Sequence, residues 1–227
     1  MKDSTNNNTL LTKNIITRLA KYLRILKSLK SIGLIKVFSS NLGDAAGIAP
    51  TVVRKDFSIL GINGNKKGGY IIDNLIKQIE GLLGIEDEYK AIIVGCGRIG
   101  KALIESEELK REHIHIIAGF DLTPSEPLNN VPIYTTDKME EIVKKENIKI
   151  GIISVPNHAA IKVFEHMREA GIRGFLNFTS VDIKCGDKCP VGCEHKCVIN
   201  QVNIGLELEN LFHLVHITEK HPDLLIE

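Results

Sequence analysis

The chain has 227 residues, a 43% share of hydrophobic residues and a formal net charge of +1. That length fits one large domain or two smaller ones with ordinary packed cores. No apolar run approaches the roughly 20 residues that a membrane-spanning helix needs, and the N-terminus lacks the apolar core of a signal peptide. We therefore expect a soluble, cytoplasmic protein without a membrane partner.

The net charge conceals two halves of opposite sign. Residues 1–72 contain 12 Lys and Arg against 3 Asp and Glu, a net charge of +9. Residues 73–227 contain the remaining 17 Lys and Arg against 25 Asp and Glu, a net charge of −8. A basic module joined to an acidic one indicates that the first contacts a polyanion such as DNA.

Three helices are predicted in the basic half. Apolar residues spaced by three and four positions indicate an amphipathic helix over 13–31. A short second helix over 40–46, with Ser39 or Ser40 as its N-cap, precedes a glycine turn. Pro50 suits the first turn of a third helix. This order is the helix-turn-helix pattern, in which the last helix reads DNA.

The third helix divides into two faces. Val53, Phe57 and Leu60 recur at the spacing of an inward face. The other face carries residue types that bond phosphates and guanine edges, and we expect them to contact a double-stranded operator. These candidate DNA-binding residues are Thr51, Arg54, Lys55 and Ser58. The alternative is an ordinary solvated face.

A basic turn follows the third helix. Residues 62–72 place glycines, asparagines and paired lysines between apolar residues, which predicts a β-hairpin. The hairpin is the wing of a winged-helix domain, with Lys66 and Lys67 at its tip as further DNA contacts. The alternative is that this stretch is only a linker.

The acidic half begins, after a predicted helix over 73–83, with a dinucleotide-binding pattern. A strand over 91–94 runs into Gly-x-Gly-x-x-Gly, and a second strand over 114–120 ends in an acid. The glycines allow a tight turn and close approach of a pyrophosphate, and the acid accepts the ribose 2′-hydroxyl, which favours NAD(H) over NADP(H). The candidate cofactor-binding residues here are Gly95, Cys96, Gly97, Arg98, Ile99, Gly100 and Asp121. The alternative is a Rossmann-like domain that has lost its ligand.

Repeated βα units follow, and they predict a parallel sheet. Ligands bind at the carboxyl ends of such strands, which adds Val155 and Pro156 to the cofactor-binding residues. The predicted strands cover 131–134, 148–155 and 174–178, and the predicted helices cover 138–145 and 158–170. No catalytic set emerges, and the roughly forty residues that remain are too few for a substrate domain, so we expect a sensor and not an enzyme.

Four cysteines near the C-terminus recur at intervals of four residues. They are Cys185, Cys189, Cys193 and Cys197. On one continuous helix the outer two would be about 18 Å apart, but the intervening glycines and proline disfavour a helix, and a folded loop brings four sulfurs together. Thiolates prefer soft centres, so a 4Fe-4S cluster, zinc or reversible disulfides all remain open. The fifth cysteine, Cys96, is interpreted as structural.

The motifs together resemble the Rex family of redox-sensing transcriptional repressors, over roughly residues 11–217. The resemblance rests on the order of six stretches. They are 53–58 (VRKDFS), 68–70 (GGY), 94–103 (VGCGRIGKAL), 119–121 (GFD), 151–156 (GIISVP) and 170–178 (AGIRGFLNF).

The resemblance implies a homodimer on a palindromic operator, with the C-terminal helix exchanged between subunits. It also implies that NADH closes the dimer and releases DNA, whereas NAD⁺ permits DNA binding. The apolar face of the exchanged helix would comprise Ile204, Leu208, Leu211, Phe212 and Val215.

The chain departs from the family pattern at the residues that couple nucleotide to DNA. Family members usually carry a Tyr in the first Rossmann helix and an Asp at the start of the last helix, and both act with an Arg that corresponds to Arg24. The first two positions are Ser106 and Asn203 in this chain. The wing also carries Asn-Lys-Lys-Gly at 65–68 where Lys-Arg-Gly is usual.

We therefore predict an α/β protein with a winged-helix DNA-binding domain over 1–84 and a Rossmann dinucleotide-binding domain over 85–200. The cysteine loop, 185–197, belongs to the second domain, and 201–227 form a swapped dimerisation helix. The predicted function is a repressor that responds to NADH and NAD⁺. The alternatives are a repressor that senses through an iron–sulfur or zinc site at the four cysteines, and an NAD-dependent oxidoreductase.

Overall fold

The computed structural model describes residues 12–62, 68–84, 88–185 and 197–221. The chain divides into two compact units, Met1–Glu86 and Asp87–Glu227. The assignment of separate roles to 1–84, 85–200 and 201–227 stays a prediction. Within the described ranges, no helix is both long and apolar enough to cross a membrane.

The described residues of unit 1 form four helices around one apolar core. The helices are α1 (Lys13–Ser31), α2 (Ser39–Ala46), α3 (Pro50–Ile59) and α4 (Ile72–Leu83). The predicted spacing over 13–31 is confirmed, because Leu19, Tyr22 and Leu26 are fully buried. The helix-turn-helix order is also confirmed, but the serine cap is wrong. The N-cap residue of α2 is Phe38, and no side chain caps that helix.

A small antiparallel sheet completes unit 1. Strand β1 (Lys36–Val37) pairs with β2 (Tyr70–Ile71), and Val37 lies opposite Tyr70. The prediction that residues 62–72 form a hairpin is wrong for Tyr70 and Ile71. These two residues pair with β1, which precedes α2 in the chain. Lys66 and Lys67 fall outside the described residues.

Unit 2 is a parallel α/β structure. Its six strands are β3 (Tyr89–Val94), β4 (Ile114–Asp121), β5 (Ile133–Thr135), β6 (Ile150–Ile153), β7 (Gly174–Asn177) and β8 (Val198–Gln201). They lie in the order β5-β4-β3-β6-β7-β8, and every neighbouring pair is parallel. Counted within this unit, that is the strand order 3-2-1-4-5-6 of the Rossmann fold.

Helices between the strands cover both faces of this sheet. They are α5 (Arg98–Ile104), α6 (Glu107–Arg111), α7 (Met139–Lys145) and α8 (Ala160–Ala170). Ile92 and Val94 join the apolar cluster that contains Met139 and Phe164. The residue between them, Ile93, joins a second cluster on the other face. The apolar run of β3 is therefore uninterrupted because a parallel strand is buried on both sides.

Helix α6 and strand β8 of unit 2 were not predicted. Helix α6 is only five residues long and buries no side chain, so it leaves no periodic signal. Strand β8 is mostly exposed and includes Asn200 and Gln201, because it lies at the edge of the sheet. Strand β8 lies between Cys197 and α9 (Ile204–Lys220).

We predict unequal effects on stability of an added methyl group at Gly97, the N-cap residue of α5, and at Gly100 within α5. A Cβ on Gly100 would collide with the carbonyl oxygen of Gly95, whereas a Cβ on Gly97 would meet open space. Overpacking of this kind costs about 1–3 kcal/mol, and the usual preference of a helix for Ala opposes that loss. Gly100→Ala should therefore lower the free energy of unfolding in urea. Gly97→Ala, the matched control, should stay within about 1 kcal/mol of the parent. Equal stability of both variants would contradict the proposed close approach.

Candidate functional site

The third helix presents the polar face that the sequence predicts. Thr51, Arg54, Lys55 and Ser58 are all exposed. Val53 and Phe57 are fully buried, while Leu60 is the half-buried C-cap residue. The guanidinium of Arg54 donates a hydrogen bond to Ser39 Oγ at 3.1 Å. This contact ties the outward arginine to the first residue of α2, although contact of these side chains with DNA stays a prediction.

The inward face of α3 contains a charged residue that the sequence reasoning did not assign. Asp56 is only 1% exposed. Arg18 donates to both of its carboxylate oxygens, at 2.7 and 2.6 Å, and the Tyr22 hydroxyl donates to one of them at 3.0 Å. The hydrogen bond with Asp56 raises the pKa of Arg18, and burial followed by the Asp56 hydrogen bond raises the pKa of Tyr22. The signal in the sequence was an Arg and a Tyr four residues apart on α1, and an Asp at an inward position of α3.

The glycine-rich loop lies where β3 and β6 end. Gly95 has a φ of +93°, and a Cβ there would collide with the carbonyl oxygen of Ser154 and lie 2.9 Å from Val155 Cγ1. The single hydroxyl proton of Ser154 is shared between the carbonyl oxygens of Gly95, 2.7 Å from Oγ, and Val94, 3.2 Å from Oγ. The strand order reverses between β3 and β6, and such a switch point is the place where this fold binds nucleotides.

Asp121 has a second role beside its predicted one. Its Oδ2 accepts a hydrogen bond from the backbone N–H of Cys96 at 2.7 Å, and its Oδ1 accepts one from Leu122 at 2.7 Å. The carboxylate therefore braces the glycine-rich loop directly. Each carboxylate oxygen has two acceptor positions, so both retain capacity for a ribose hydroxyl.

The remaining predicted contact residues surround this loop. Gly97 is the N-cap of α5, and Arg98 and Ile99 in the first turn are exposed. Val155 is half-buried and Pro156 is exposed beyond the end of β6. The predicted cofactor-binding residues thus lie together at the carboxyl ends of β3, β4 and β6.

Cys96 lies within the loop but its thiol is buried. The residue is 8% exposed, and Sγ lies 3.8 Å from the carbonyl oxygen of Phe120. Burial, and then the charge of Asp121, raise the pKa of Cys96 to about 11. The thiol stays protonated at neutral pH and is a poor nucleophile, which agrees with a structural interpretation.

Only half of the predicted metal site can be described. Cys185 and Cys197 are both half-buried, and Cys197 packs against the core of unit 2. Cys189 and Cys193 fall outside the described residues. Within the part of the chain that the structure describes, no three His, Cys, Asp or Glu side chains are grouped to hold a metal ion. The four-cysteine site stays a prediction.

Ser106 and Asn203 both act as helix caps. Ser106 Oγ accepts from the N–H of Leu109 at the start of α6, and Asn203 Oδ1 accepts from the N–H of Leu206 at the start of α9. Such caps contribute about 1 kcal/mol each to helix stability. Both side chains therefore have local structural roles.

Two family models match the chain, one on each unit. A model described as "Putative DNA-binding protein N-terminus" covers residues 11–58. A model described as "CoA binding domain" covers residues 86–181. The solved structures agree on the fold. The crystal structure of RSP in complex with β-NAD⁺ and operator DNA has a TM-score of 0.81 and 22% identity, and covers 95% of this chain and 97% of its own.

Curated relatives match across both units. The redox-sensing transcriptional repressor Rex of Desulforamulus reducens is 31% identical, over 90% of this chain and 95% of the relative. The Rex protein of Brevibacillus brevis is 32% identical, over 78% of this chain and 86% of the relative. The chain belongs to the Rex family of redox-sensing transcriptional repressors.

Proposed function

We propose that this protein is a dimeric transcriptional repressor whose unit 1 binds operator DNA and whose unit 2 binds NAD(H). One observation carries the proposal: a helix with an exposed Arg and Lys face and a nucleotide-binding switch point occur in one chain of the Rex family. The relatives that match the chain are named as repressors, which favours a regulator over the oxidoreductase alternative.

The charge and shape of unit 1 support DNA binding. Its net positive charge suits the phosphate backbone, which supplies the sequence-independent part of affinity. Arg54 and Lys55 are exposed beside each other on α3. Arginine reads the two acceptors of guanine with its fork of donors, so Arg54 is the side chain that we assign to base recognition.

The glycine-rich loop supports NAD(H) binding. The space at Gly97 leaves the backbone open to a pyrophosphate, and Gly95 and Gly100 close the turn tightly beneath it. Asp121 supplies the acceptor for a ribose hydroxyl and a negative charge that would repel a 2′-phosphate. RSP, described as a Rex-family repressor, has been solved with β-NAD⁺ and with β-NADH.

Helix α9 supports a homodimer. None of its residues is buried, yet seven of its large apolar side chains are between 48% and 74% exposed. An apolar helix face of this size needs a partner surface. A second copy of the chain, with the helix exchanged, would cover it.

Redox sensing then follows from two ligands that share one site. NADH and NAD⁺ shift the dimer only as far as their affinities for its two shapes differ. We propose that NADH favours the shape that releases DNA. Because Ser106 and Asn203 stand where family members usually carry Tyr and Asp, we propose that the contacts that couple nucleotide to DNA in this chain differ from those usual in the family.

We predict that Arg54→Ala weakens operator binding by about 1–3 kcal/mol, because it removes a bidentate contact with guanine. Lys66→Ala and Lys67→Ala should mainly reduce the dependence of affinity on salt, because each removes a phosphate contact. Fluorescence anisotropy over a salt series measures both effects. Arg111→Ala, which removes one exposed charge from unit 2, is the control. Parent-like binding by all three unit 1 variants would exclude the winged-helix assignment.

We predict that Gly97→Val weakens NADH binding at least about tenfold, because its side chain fills the space that the pyrophosphate needs. Gly81→Val is the control, since Gly81 in α4 also borders open space. Asp121→Asn keeps an acceptor for the Cys96 N–H but loses the charge, so the preference for NADH over NADPH should narrow. Calorimetric titration measures the NADH affinity of the three variants and the NADPH affinity of Asp121→Asn. The proposal fails for the nucleotide if the parent protein binds no dinucleotide.

The second candidate function is metal or redox sensing at the four cysteines. Four thiolates form a donor set that suits a 4Fe-4S cluster or zinc. Cys185 and Cys197 both lie between β7 and β8, and Cys197 directly precedes β8. Any change in that segment would act on the edge strand that leads to α9. This placement favours a role in controlling the dimer.

We predict that anaerobically purified protein contains iron and sulfide, or zinc, and that Cys189→Ser removes it. Elemental analysis and the ultraviolet–visible spectrum identify the centre. Operator affinity of the parent should change on oxidation, while that of Cys189→Ser should not. Cys96→Ala is the control for loss of a cysteine outside the four. Equal affinity in both proteins under both conditions, with no metal bound, would leave the segment a structural role only.

A further inference from the structure

We propose that Arg18, Tyr22 and Asp56 are positioning residues for operator recognition, whose buried hydrogen bonds set the rotation of α3 about its own axis. The inference rests on the proposed binding of DNA through α3. It assigns sequence discrimination, and not only affinity, to Asp56, on the face of α3 that points away from the proposed DNA contacts, and to its two partners on α1.

The geometry of the three side chains makes the contact directional. Arg18 Nε and Nη2 donate to the two oxygens of Asp56 at 2.7 and 2.6 Å, so the planar fork and the planar carboxylate fix each other's orientation. The Tyr22 hydroxyl donates to Asp56 Oδ2 at 3.0 Å from the next turn of α1. Residues four apart lie on one face of a helix, so both donors come from the same side.

Asp56 is well placed to control where Arg54 points. At about 100° per residue, a side chain two positions along a helix lies about 200° around the axis, on nearly the opposite face. Arg54 is exposed and Asp56 is 1% exposed, as that geometry requires. A rotation of α3 that re-aimed Arg54 would therefore break the bidentate contact on the other side.

Apolar packing alone would leave this rotation weakly determined. Val53 and Phe57 hold α3 in the core, but apolar contacts are non-directional and cores accept repacking when volume is kept. Phe57 also meets the rings of Tyr22 at 5.7 Å and Tyr70 at 5.0 Å, both edge-on. The hydrogen-bonded carboxylate adds the directional constraint that these ring contacts lack.

The arrangement is also a poor device for stability alone. Replacing a buried ion pair with apolar residues of similar volume is often neutral or stabilising, because two charges no longer have to be removed from water. Asp56 is buried and the Arg18 side chain is 27% exposed. If these hydrogen bonds serve to orient α3, replacing the three side chains with apolar ones should preserve folding. It should reduce the preference of the protein for its operator sequence over other DNA.

The test is a triple variant, Arg18→Met with Tyr22→Phe and Asp56→Leu, in the full-length protein. Operator duplexes are first obtained by in vitro selection from a random library with the parent protein. Affinity is then measured for the selected duplex and for a scrambled duplex of equal length. We expect the ratio of the two affinities to fall at least about tenfold, the discrimination that one misplaced bidentate contact loses. Affinity for the scrambled duplex should stay within about twofold, because phosphate contacts carry no sequence information.

A matched control removes another ion pair from the same unit. Lys30 Nζ and Asp73 Oδ1 lie 2.7 Å apart, and both side chains are more than half exposed. Lys30→Ala with Asp73→Ala likewise leaves the net charge unchanged, and it should leave the affinity ratio unchanged. Circular dichroism and NADH binding check that both units of each variant are folded.

Each outcome decides the inference. A folded triple variant with a parent-like affinity ratio overturns it, because apolar packing would then suffice to aim α3. If the triple variant does not fold, Arg18→Lys decides, since lysine keeps the charge but has no fork. A parent-like ratio for Arg18→Lys overturns the inference in that case. If the parent protein selects no duplex at all, the proposed DNA binding itself fails, which is a separate result.

Discussion

The close approach of Gly95 to Ser154 is the contact on which the nucleotide site depends. A side chain on Gly95 would collide with the Ser154 carbonyl, and one on Gly100 would collide with the Gly95 carbonyl. The ends of β3 and β6 and the start of α5 can meet only because these positions lack a Cβ. Ser154 Oγ then closes the contact with its hydrogen bond to Gly95. Everything proposed for NAD(H) relies on that geometry.

Unit 1 also has to hold a functional surface in a fixed position, and it uses a buried, hydrogen-bonded ion pair to do so. Its core is small, and a recognition helix has to present a defined face while only one side of it is buried. A carboxylate in the core is costly unless its partners satisfy it fully. Arg18 and Tyr22 do so for Asp56. The two units thus use different means, absent side chains in one and paired side chains in the other, to hold functional groups in place.

The sequence was sufficient wherever periodicity and glycine spacing carry the information. The spacing over 13–31 predicted α1, and the glycine-rich loop with Asp121 predicted a Rossmann domain, whose parallel sheet followed from the repeated βα units. It was insufficient where structure depends on distant partners. The pairing of 36–37 with 70–71, the edge strand β8 and the Asp56 network all join residues that no local pattern connects. The hydrogen bond from the Cys96 N–H to Asp121 was also missed. The sequence analysis had already assigned the Asp121 carboxylate to a ribose hydroxyl.

Helix α9 constrains how the two proposed activities can be linked. It buries no side chain within one chain, so its apolar face contributes to stability only when a partner covers it. A ligand that changes the position of β8 or the start of α9 would then act on the association of two copies, and through it on both DNA-binding units together. Thermodynamic linkage makes this reciprocal, so operator DNA must change NADH affinity by the same factor as NADH changes operator affinity. We propose that the packing of α9 against its partner carries this coupling.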